Sequence, residues 1–204
     1  DGLSEPTEIP RNRWNAHQFY DPKPATVGKS ATVKGFFLDN VRDFDAGFFK
    51  LSEPDAMVMD PQQRILLELA YEALLSSGQA PDSFRNSQTA VYLGITKSDY
   101  QDHVQQALVA QELTQKTVVI GVLENLTAAR IANYFDLRGP ALTIDTACSS
   151  ALVALHMACE SLKLGSIEMA LVGGINLNLG PAPYLGMSAA GALSPEEDYY
   201  VFDA

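Results

Sequence analysis

The amino-acid sequence predicts an α/β domain with a layer of strands held between helices. Three observations carry that reading. Residues 137–174 read in order as strand, sharp turn, helix and strand. Residues 88–96 (QTAVYLGIT) and 169–174 (MALVGG) are short apolar runs that end at or beside glycine, the form of strands covered on both faces. The apolar share is 47% of 204 residues, ample for one core, so the chain is one domain or a large piece of one.

Taken in order, residues 1–31 are rich in Pro, Asn, Lys and Asp and read as a surface segment pinned by Trp14, Phe19 and Tyr20. His17 in this segment is read as solvent-facing or locally bonded. Residues 33–38 form a short strand candidate, and Phe44, Phe48 and Phe49 are expected to anchor a turn or short helix. Residues 53–59 form a short helix. Asp60-Pro61 then opens a longer one, because Asp60 caps and Pro61 suits the first turn. That helix stops at Gly78. Leu66, Ala70, Ala73 and Ser77 are assigned to one face, and Arg64, Glu68 and Tyr71 to another. An Arg64–Glu68 pair would add only about 0.3–0.5 kcal/mol. By composition the MDPQQR run is read as a capped surface helix. The 88–96 strand follows, then a helix from Asp99 to about Glu112 capped by Ser98, with His103 exposed on it. Residues 113–123 are apolar but ambiguous. Residues 126–135 form a helix packed through Ile131, Tyr134 and Phe135, and Arg138-Gly139-Pro140 turns the chain.

Residues 141–147 read as a strand with two small or apolar faces apart from Asp145, which belongs in the middle of a layered domain. The next helix carries Leu152, Leu155, Cys159 and Leu162 as one stripe, with Val153, Met157 and Leu164 elsewhere around it. A helix apolar nearly all round is expected to be buried, with His156 in a core hydrogen bond. Gly165 closes it, and residues 169–174 give the next strand as a parallel crossover. Residues 176–197 are expected to be loops lining a cavity.

Net charge is −11 with no cluster of basic residues, which argues against nucleic-acid binding. No apolar run is long enough to span a bilayer, so no membrane partner is expected. Two cysteines do not make a disulfide framework and fit a reduced, cytoplasmic setting. The chain opens at Asp1 in mid-phrase and stops at 201–204 without a closing element, which reads as an excerpt of a longer polypeptide.

Cys148 is the candidate functional residue. It sits where a strand ends and a helix begins, a position that offers exposure, free backbone N–H groups and the positive end of a helix dipole. A strained strand-to-helix elbow presents the nucleophile of many hydrolases in the same way. A free cysteine is most often a small buried residue, and Cys159, mid-helix on the core stripe, is read so. Thr146, Ser149 and Ser150 flank Cys148 and leave room for a tight turn and an approaching substrate. A helix terminus favours nearby negative charge by about 0.3–1 kcal/mol, up to ~2 when partly buried. That helps a thiol without replacing a base. Of the three histidines, His156 stands eight residues past Cys148, roughly 12 Å along a helix, out of reach of the sulfur. Cys148 and Cys159 are roughly 16 Å apart on the same helix and cannot bridge.

The run GPALTIDTACSSALVALHMACESLKLG…ALVGGINL resembles the active-site region of β-ketoacyl synthases, specifically the ketosynthase domains of modular polyketide synthases and related fatty acid synthases. RWN…YDPKP…GKS, GFFLDNVRDFDAGFF, MDPQQRILLELAYEAL, YLGITKSDY and SAAGALSP are similar to that family in the same order, so the resemblance covers essentially all 204 residues. Two segments depart from the pattern: Asp198-Tyr199-Tyr200-Val201 stands where a basic residue is common, and Thr127-Ala128-Ala129-Arg130 where a Gly-Arg pair is usual.

The resemblance implies a thiolase-like fold, α-β-α layered, with a mixed sheet between helices and this chain as most of the first of two similar halves, truncated at both ends. It implies that Cys148 is the catalytic nucleophile taking an acyl chain from an acyl carrier protein. Two histidines and a lysine would come from the second half. It implies one oxyanion donor at the Cys148 N–H, and the reaction is a decarboxylative Claisen condensation with a malonyl-type extender. No metal and no directly bound cofactor are expected, the substrates riding on the phosphopantetheine of the carrier. Expected partners are the carrier, other polyketide synthase domains and a second copy in a homodimer. The fragment alone is expected to be inactive. A ketosynthase that accepts or transfers acyl chains without elongating them, or a non-catalytic dimerisation or packing fragment, are the alternatives.

Overall fold

A computed structural model describes residues 6–23, 26–110 and 118–194. In chain order the elements are β1 (Thr7–Glu8), β2 (Lys34–Gly35), α1 (Glu53–Val58), α2 (Pro61–Ser76), β3 (Thr89–Ile95), α3 (Tyr100–Val109), α4 (Val118–Val122), α5 (Thr127–Tyr134), β4 (Ala141–Ile144), α6 (Ser150–Lys163), β5 (Met169–Ile175) and α7 (Ala182–Ala189), with short 3-10 turns between some of them. They divide into two compact units, residues 42–176 and residues 1–41 with 177–204.

The larger unit is built on a parallel sheet in the order β4-β3-β5. Gly94 of β3 pairs with Ile144 on one side and Gly174 on the other. Every residue of β3 is buried, and its alternation divides two cores. Val91, Leu93 and Ile95 meet Leu66, Leu67, Ala70, Leu74, Ala128 and Ile131 from α2 and α5. Ala90 and Tyr92 meet Ala154 and Ala158 of α6. The sheet therefore has helices on both faces, as the thiolase-like, α-β-α reading expects. Burying a side chain such as Leu67, Leu74 or Ile131, each about 1% exposed, contributes about 1.5–3 kcal/mol.

Several expectations are corrected. The middle strand is β3, and β4 is an edge of the described sheet with only partial burial. On α6 the buried residues are Ser150, Ala154 and Ala158. The stripe of Leu152, Leu155, Cys159 and Leu162 is exposed, Leu152 by 72%. His156 is exposed too and makes no core bond. α6 lies close to the sheet and meets it with small side chains, so the leucines turn to the other face. On α2 the buried residues are Pro61, Gln62, Gln63, Leu66, Leu67, Ala70 and Leu74, and of the face assigned above Ala73 and Ser77 are exposed. The run read as loops beyond residue 176 contains α7, whose Tyr184 and Ser188 are buried. Residues 195–197 of that run, the 198–201 departure, the predicted end of the residue-99 helix at Glu112 and residues 113–117 lie outside the described residues.

The MDPQQR segment is not a surface cap. Asp60, Gln62 and Gln63 are all 2% exposed or less. Asp60 accepts the Gln62 N–H at 2.7 Å, as a cap should. Gln63 donates to the Gly121 and Leu123 carbonyls at 3.1 and 3.2 Å and accepts from Arg130 Nε at 2.9 Å. A side chain on Gly121 would meet the Val58 backbone, its Cβ 2.6 Å from the carbonyl oxygen, so α4 lies directly on α1.

In the smaller unit β1 and β2 pair antiparallel. Trp14 packs edge-on against Tyr184 at 5.4 Å, and Phe37 stacks beside it. The Tyr184 hydroxyl donates to the Lys34 carbonyl at 3.1 Å, and the Ala31 N–H donates to Ser188 Oγ at 2.9 Å. His17 is exposed and bonds Glu8 at 2.7 Å, the local pairing expected of it. Among the described residues no helix is long and apolar enough to cross a membrane.

Burial pushes the Asp60 carboxyl above its ordinary value of 3.8, a rise partly offset by the Ser98 hydroxyl and the Gln62 N–H. The folded chain therefore holds a proton that the unfolded chain releases. The stability this group contributes is complete below about pH 3.8 and is lost as pH rises through the folded value. Asp60→Asn keeps an acceptor for Gln62 and removes the buried charge. Urea unfolding from pH 4 to pH 8 should show a flatter pH dependence for Asp60→Asn than for the native chain. Asp60→Ala, which loses the cap, should be about 1 kcal/mol less stable than Asp60→Asn.

Candidate functional site

The site is the turn from β4 into α6, at the C-terminal edge of the parallel sheet, where α/β domains place their reacting groups. β4 ends at Ile144 and α6 begins at Ser150. Between them Ala147 has φ of 56°, a left-handed backbone that costs a residue with a side chain about 1–2 kcal/mol. Cys148 follows it and is exposed. The sulfur is thus presented beside the first turn of a helix rather than enclosed within one.

The turn is laced by side chains from its own residues. Asp145 Oδ1 accepts the Ala147 N–H at 2.9 Å. The Ser149 hydroxyl donates to the Thr146 carbonyl at 2.8 Å, and the Ser150 hydroxyl donates to the Ala147 carbonyl at 2.6 Å. Ser150 Oγ also accepts the Thr146 N–H at 2.9 Å. The Ser149 and Ser150 N–H groups reach the Thr146 and Ala147 carbonyls at 3.4 and 3.1 Å. Neither serine hydroxyl caps the helix. The N–H of Cys148 has no hydrogen-bond partner among the described residues. The positive end of α6 is therefore left open beside the thiol.

Two glycines set where this turn lies. A Cβ on Gly94 would stand 2.5 Å from Ser150 C and 2.7 Å from Ala151 Cα, with Ala151 N nearer still. A Cβ on Gly174 would stand 2.7 Å from Ala151 Cβ. The start of α6 thus rests on the backbones of β3 and β5, at a contact only glycine permits. The strand glycines were visible in the sequence, and an interior strand glycine signals close backbone approach. Which element approaches them was not.

A third group at this edge escaped sequence reasoning. Glu124 accepts the N–H of Ser98, just past the end of β3, in a short hydrogen bond. Burial raises its carboxyl above the ordinary value, the negative charges of Asp60 and Asp145 add to the rise, and the Ser98 N–H and Lys97 oppose it. Nothing in the spacing of Glu124 marks it out. The structure does not bring a histidine into this constellation by contact: His103 and His156 are exposed on α3 and α6, and His17 is paired with Glu8. Among the described residues no group of His, Cys, Asp and Glu has the spacing of a metal site.

A parallel sheet between helices, with a cysteine raised on the strand-to-helix elbow, places the chain in the thiolase-like class. The chain belongs to the β-ketoacyl synthase family: the family model described as "Beta-ketoacyl synthase, N-terminal domain" matches residues 1–204. The chain is 44% identical over 197 residues to the mycocerosic acid synthase-like polyketide synthase of Mycolicibacterium smegmatis, covering 97% of this chain and 9% of that protein. It is 43% identical over 204 residues to the 6-hydroxymellein synthase of Talaromyces verruculosus, covering 100% of this chain and 8% of that protein. Among solved structures, an oxazolomycin ketosynthase domain of Streptomyces albus matches with a TM-score of 0.85 and 34% identity over 94% of this chain and 33% of that one. A ketosynthase from module 6 of the Bacillus subtilis bacillaene synthase matches with a TM-score of 0.77 and 36% identity, over 93% of this chain and 30% of that one. The chain therefore spans about a third of the solved ketosynthase chains and a far smaller share of the curated synthases.

Gly94→Ala should destabilise the protein by about 1–3 kcal/mol, because the new methyl meets backbone that cannot swing away. It should also change the alkylation rate of Cys148 relative to Cys159. Gly186→Ala is the control: nothing lies within 4 Å of the added methyl, and the helix should gain about 0.5–1 kcal/mol. Urea midpoints and peptide mapping after iodoacetamide treatment read both.

Proposed function

We propose that this chain is the N-terminal part of a polyketide synthase ketosynthase and that Cys148 is its catalytic nucleophile. The observation that carries the reading is the exposed Cys148 at the open end of α6, its own N–H without a partner among the described residues. In the reaction, the Cys148 thiolate attacks the carbonyl of an acyl thioester carried on the phosphopantetheine of an acyl carrier protein. The tetrahedral oxyanion lies against the Cys148 N–H. It collapses by expelling the pantetheine thiolate, which takes up a proton, and the acyl group remains on Cys148 as a thioester. A malonyl-type extender on a carrier then loses CO₂, and the resulting enolate attacks the acyl carbon. The C–C bond forms as the C–S bond to Cys148 breaks, so the thiol is regenerated and the β-ketoacyl chain leaves on the carrier. Covalent capture divides one hard displacement into two easier ones.

The helix end favours negative charge at the sulfur and at the oxyanion, by about 0.3–1 kcal/mol each when exposed. Decarboxylation and proton handling require groups from further polypeptide, and the carrier, the other synthase domains and a second copy are the partners. Two unpaired thiols suit a reduced, cytoplasmic setting.

In the full-length synthase, Cys148→Ala should abolish covalent loading from an acyl thioester, read as the mass added to the protein. Loading that survives Cys148→Ala refutes the assignment. The 204-residue chain by itself should form no β-ketoacyl product from a loaded acyl group and malonyl-carrier, as followed by mass spectrometry of the carrier arm.

A further inference from the structure

We infer that Ser150 is the positioning residue for Cys148: its hydroxyl holds the turn in the shape that presents the thiol. The inference rests on the reading of Cys148 as the acyl acceptor.

A serine hydroxyl offers one proton and two lone pairs, and Ser150 uses both functions within the turn. It accepts the N–H of Thr146 at 2.9 Å and donates to the carbonyl of Ala147 at 2.6 Å. These two groups bracket the peptide that carries the left-handed φ of 56° at Ala147. The hydroxyl thus ties the residue leaving β4 to the residue that precedes the thiol. Ser150 is 4% exposed, so no water is well placed to substitute for it, and its backbone carbon is fixed against Gly94 by the close approach already described. The anchored end of the brace is rigid, and the free end is the turn.

Ser149 makes an instructive contrast. It is exposed and its hydroxyl reaches only Thr146, at the carbonyl and at Oγ1, 2.8 and 2.9 Å away. It holds the strand end to the helix start without touching Ala147. The two adjacent serines therefore differ in consequence: only Ser150 spans the strained residue. Neither hydroxyl caps α6. With the brace in place the N–H of Cys148 stays available beside its own thiol, while the Ser149 and Ser150 N–H groups are held by the Thr146 and Ala147 carbonyls. Without it, the Thr146 N–H loses its acceptor and the Ala147 carbonyl keeps only the Ser150 N–H, so the turn that presents the thiol loosens.

The test is single-turnover acylation in the full-length synthase, using a short acyl thioester of N-acetylcysteamine at a range of concentrations. Limited proteolysis of the ketosynthase region serves as the check on folding. Ser150→Ala should slow the acylation step about 10- to 100-fold, the loss expected when a reacting group is misplaced by about an ångström. Half-saturation by the thioester and the proteolysis pattern should not move. Ser150→Thr, which keeps the hydroxyl, should recover most of the rate, and Ser149→Ala should stay within about threefold of the native protein. The inference is overturned by native acylation in Ser150→Ala, by equal losses in Ser150→Thr and Ser150→Ala, or by an equal loss in Ser149→Ala. Should Ser150→Ala unfold, shown by accelerated proteolysis of the ketosynthase region, the comparison of Ser150→Thr with Ser149→Ala decides alone. Loading that persists in Cys148→Ala is a separate result, and it removes the nucleophile assignment instead.

Discussion

The structure depends on one close approach, the start of α6 lying on the backbone of β3 and β5. A strand and a helix ordinarily keep the distance their side chains impose. Here Gly94 and Gly174 present no side chain, and Ala151 opposite them presents one methyl, so backbone approaches backbone. Interiors packed to crystal-like density do not absorb an extra methyl at such a point. The approach fixes the height of Ser150 and Ala151 above the sheet edge. Because Cys148 is two residues away, it fixes the height of the thiol as well.

The same contact explains how the apolar residues are distributed. A helix seated this close meets the sheet with Ser150, Ala154 and Ala158, and its leucines are turned outward. On the other face of the sheet, α2 and α5 meet β3 with Leu66, Leu67, Leu74 and Ile131. One face of the sheet is thus met by large helix side chains and the other by small ones. The buried polar run at the start of α2 belongs to the large-residue side. There Asp60 Oδ1 accepts the Gln62 N–H, and Gln63 is held by backbone of the 121–123 segment and by Arg130. Buried polar groups are tolerated where such partners exist.

These arrangements show why the sequence was readable in some places and misleading in others. Periodicity and punctuation found most of the elements: β3 between Gln88 and Thr96, α2 from its Asp-Pro start to Gly78, and the strand-turn-helix that carries Cys148. Such signals are local, and each element obeys its own residues. Burial is not local. The stripe of Leu152, Leu155, Cys159 and Leu162 has the spacing of a core face, yet the partner chosen by the glycines of other strands faces Ser150, Ala154 and Ala158. The MDPQQR run looks like a surface by composition, yet its partners come from residues some sixty positions away. Gly and Pro beyond residue 176 suggested loops, while the eight residues of α7 between them have a helical run with Tyr184 and Ser188 on its buried side. The elbow that carries Cys148 was legible because an elbow has a sequence form. Ser150 and Glu124 were not, because their meaning lies in which atoms they reach.

The chemistry of the elbow follows from a trade between strain and exposure. A nucleophile carried on a smooth strand or inside a helix would be shielded by neighbours on both sides. Forcing Ala147 into the left-handed region makes the chain reverse within one residue, and the thiol is left at the crest. Such a conformation persists only when surrounding bonds over-determine it. Asp145, Ser149 and Ser150 supply those bonds by turning their side chains inward on the turn. The serines that might have capped α6 are spent on shape, so the helix keeps its positive end unquenched. Holding the turn and leaving the helix open are therefore achieved by the same two hydroxyls. An isolated helix end favours charge too weakly to drive a condensation. On the proposed reading its value lies in being fixed in direction before a carbonyl arrives, since donors that need no rearrangement are those that stabilise developing charge most effectively.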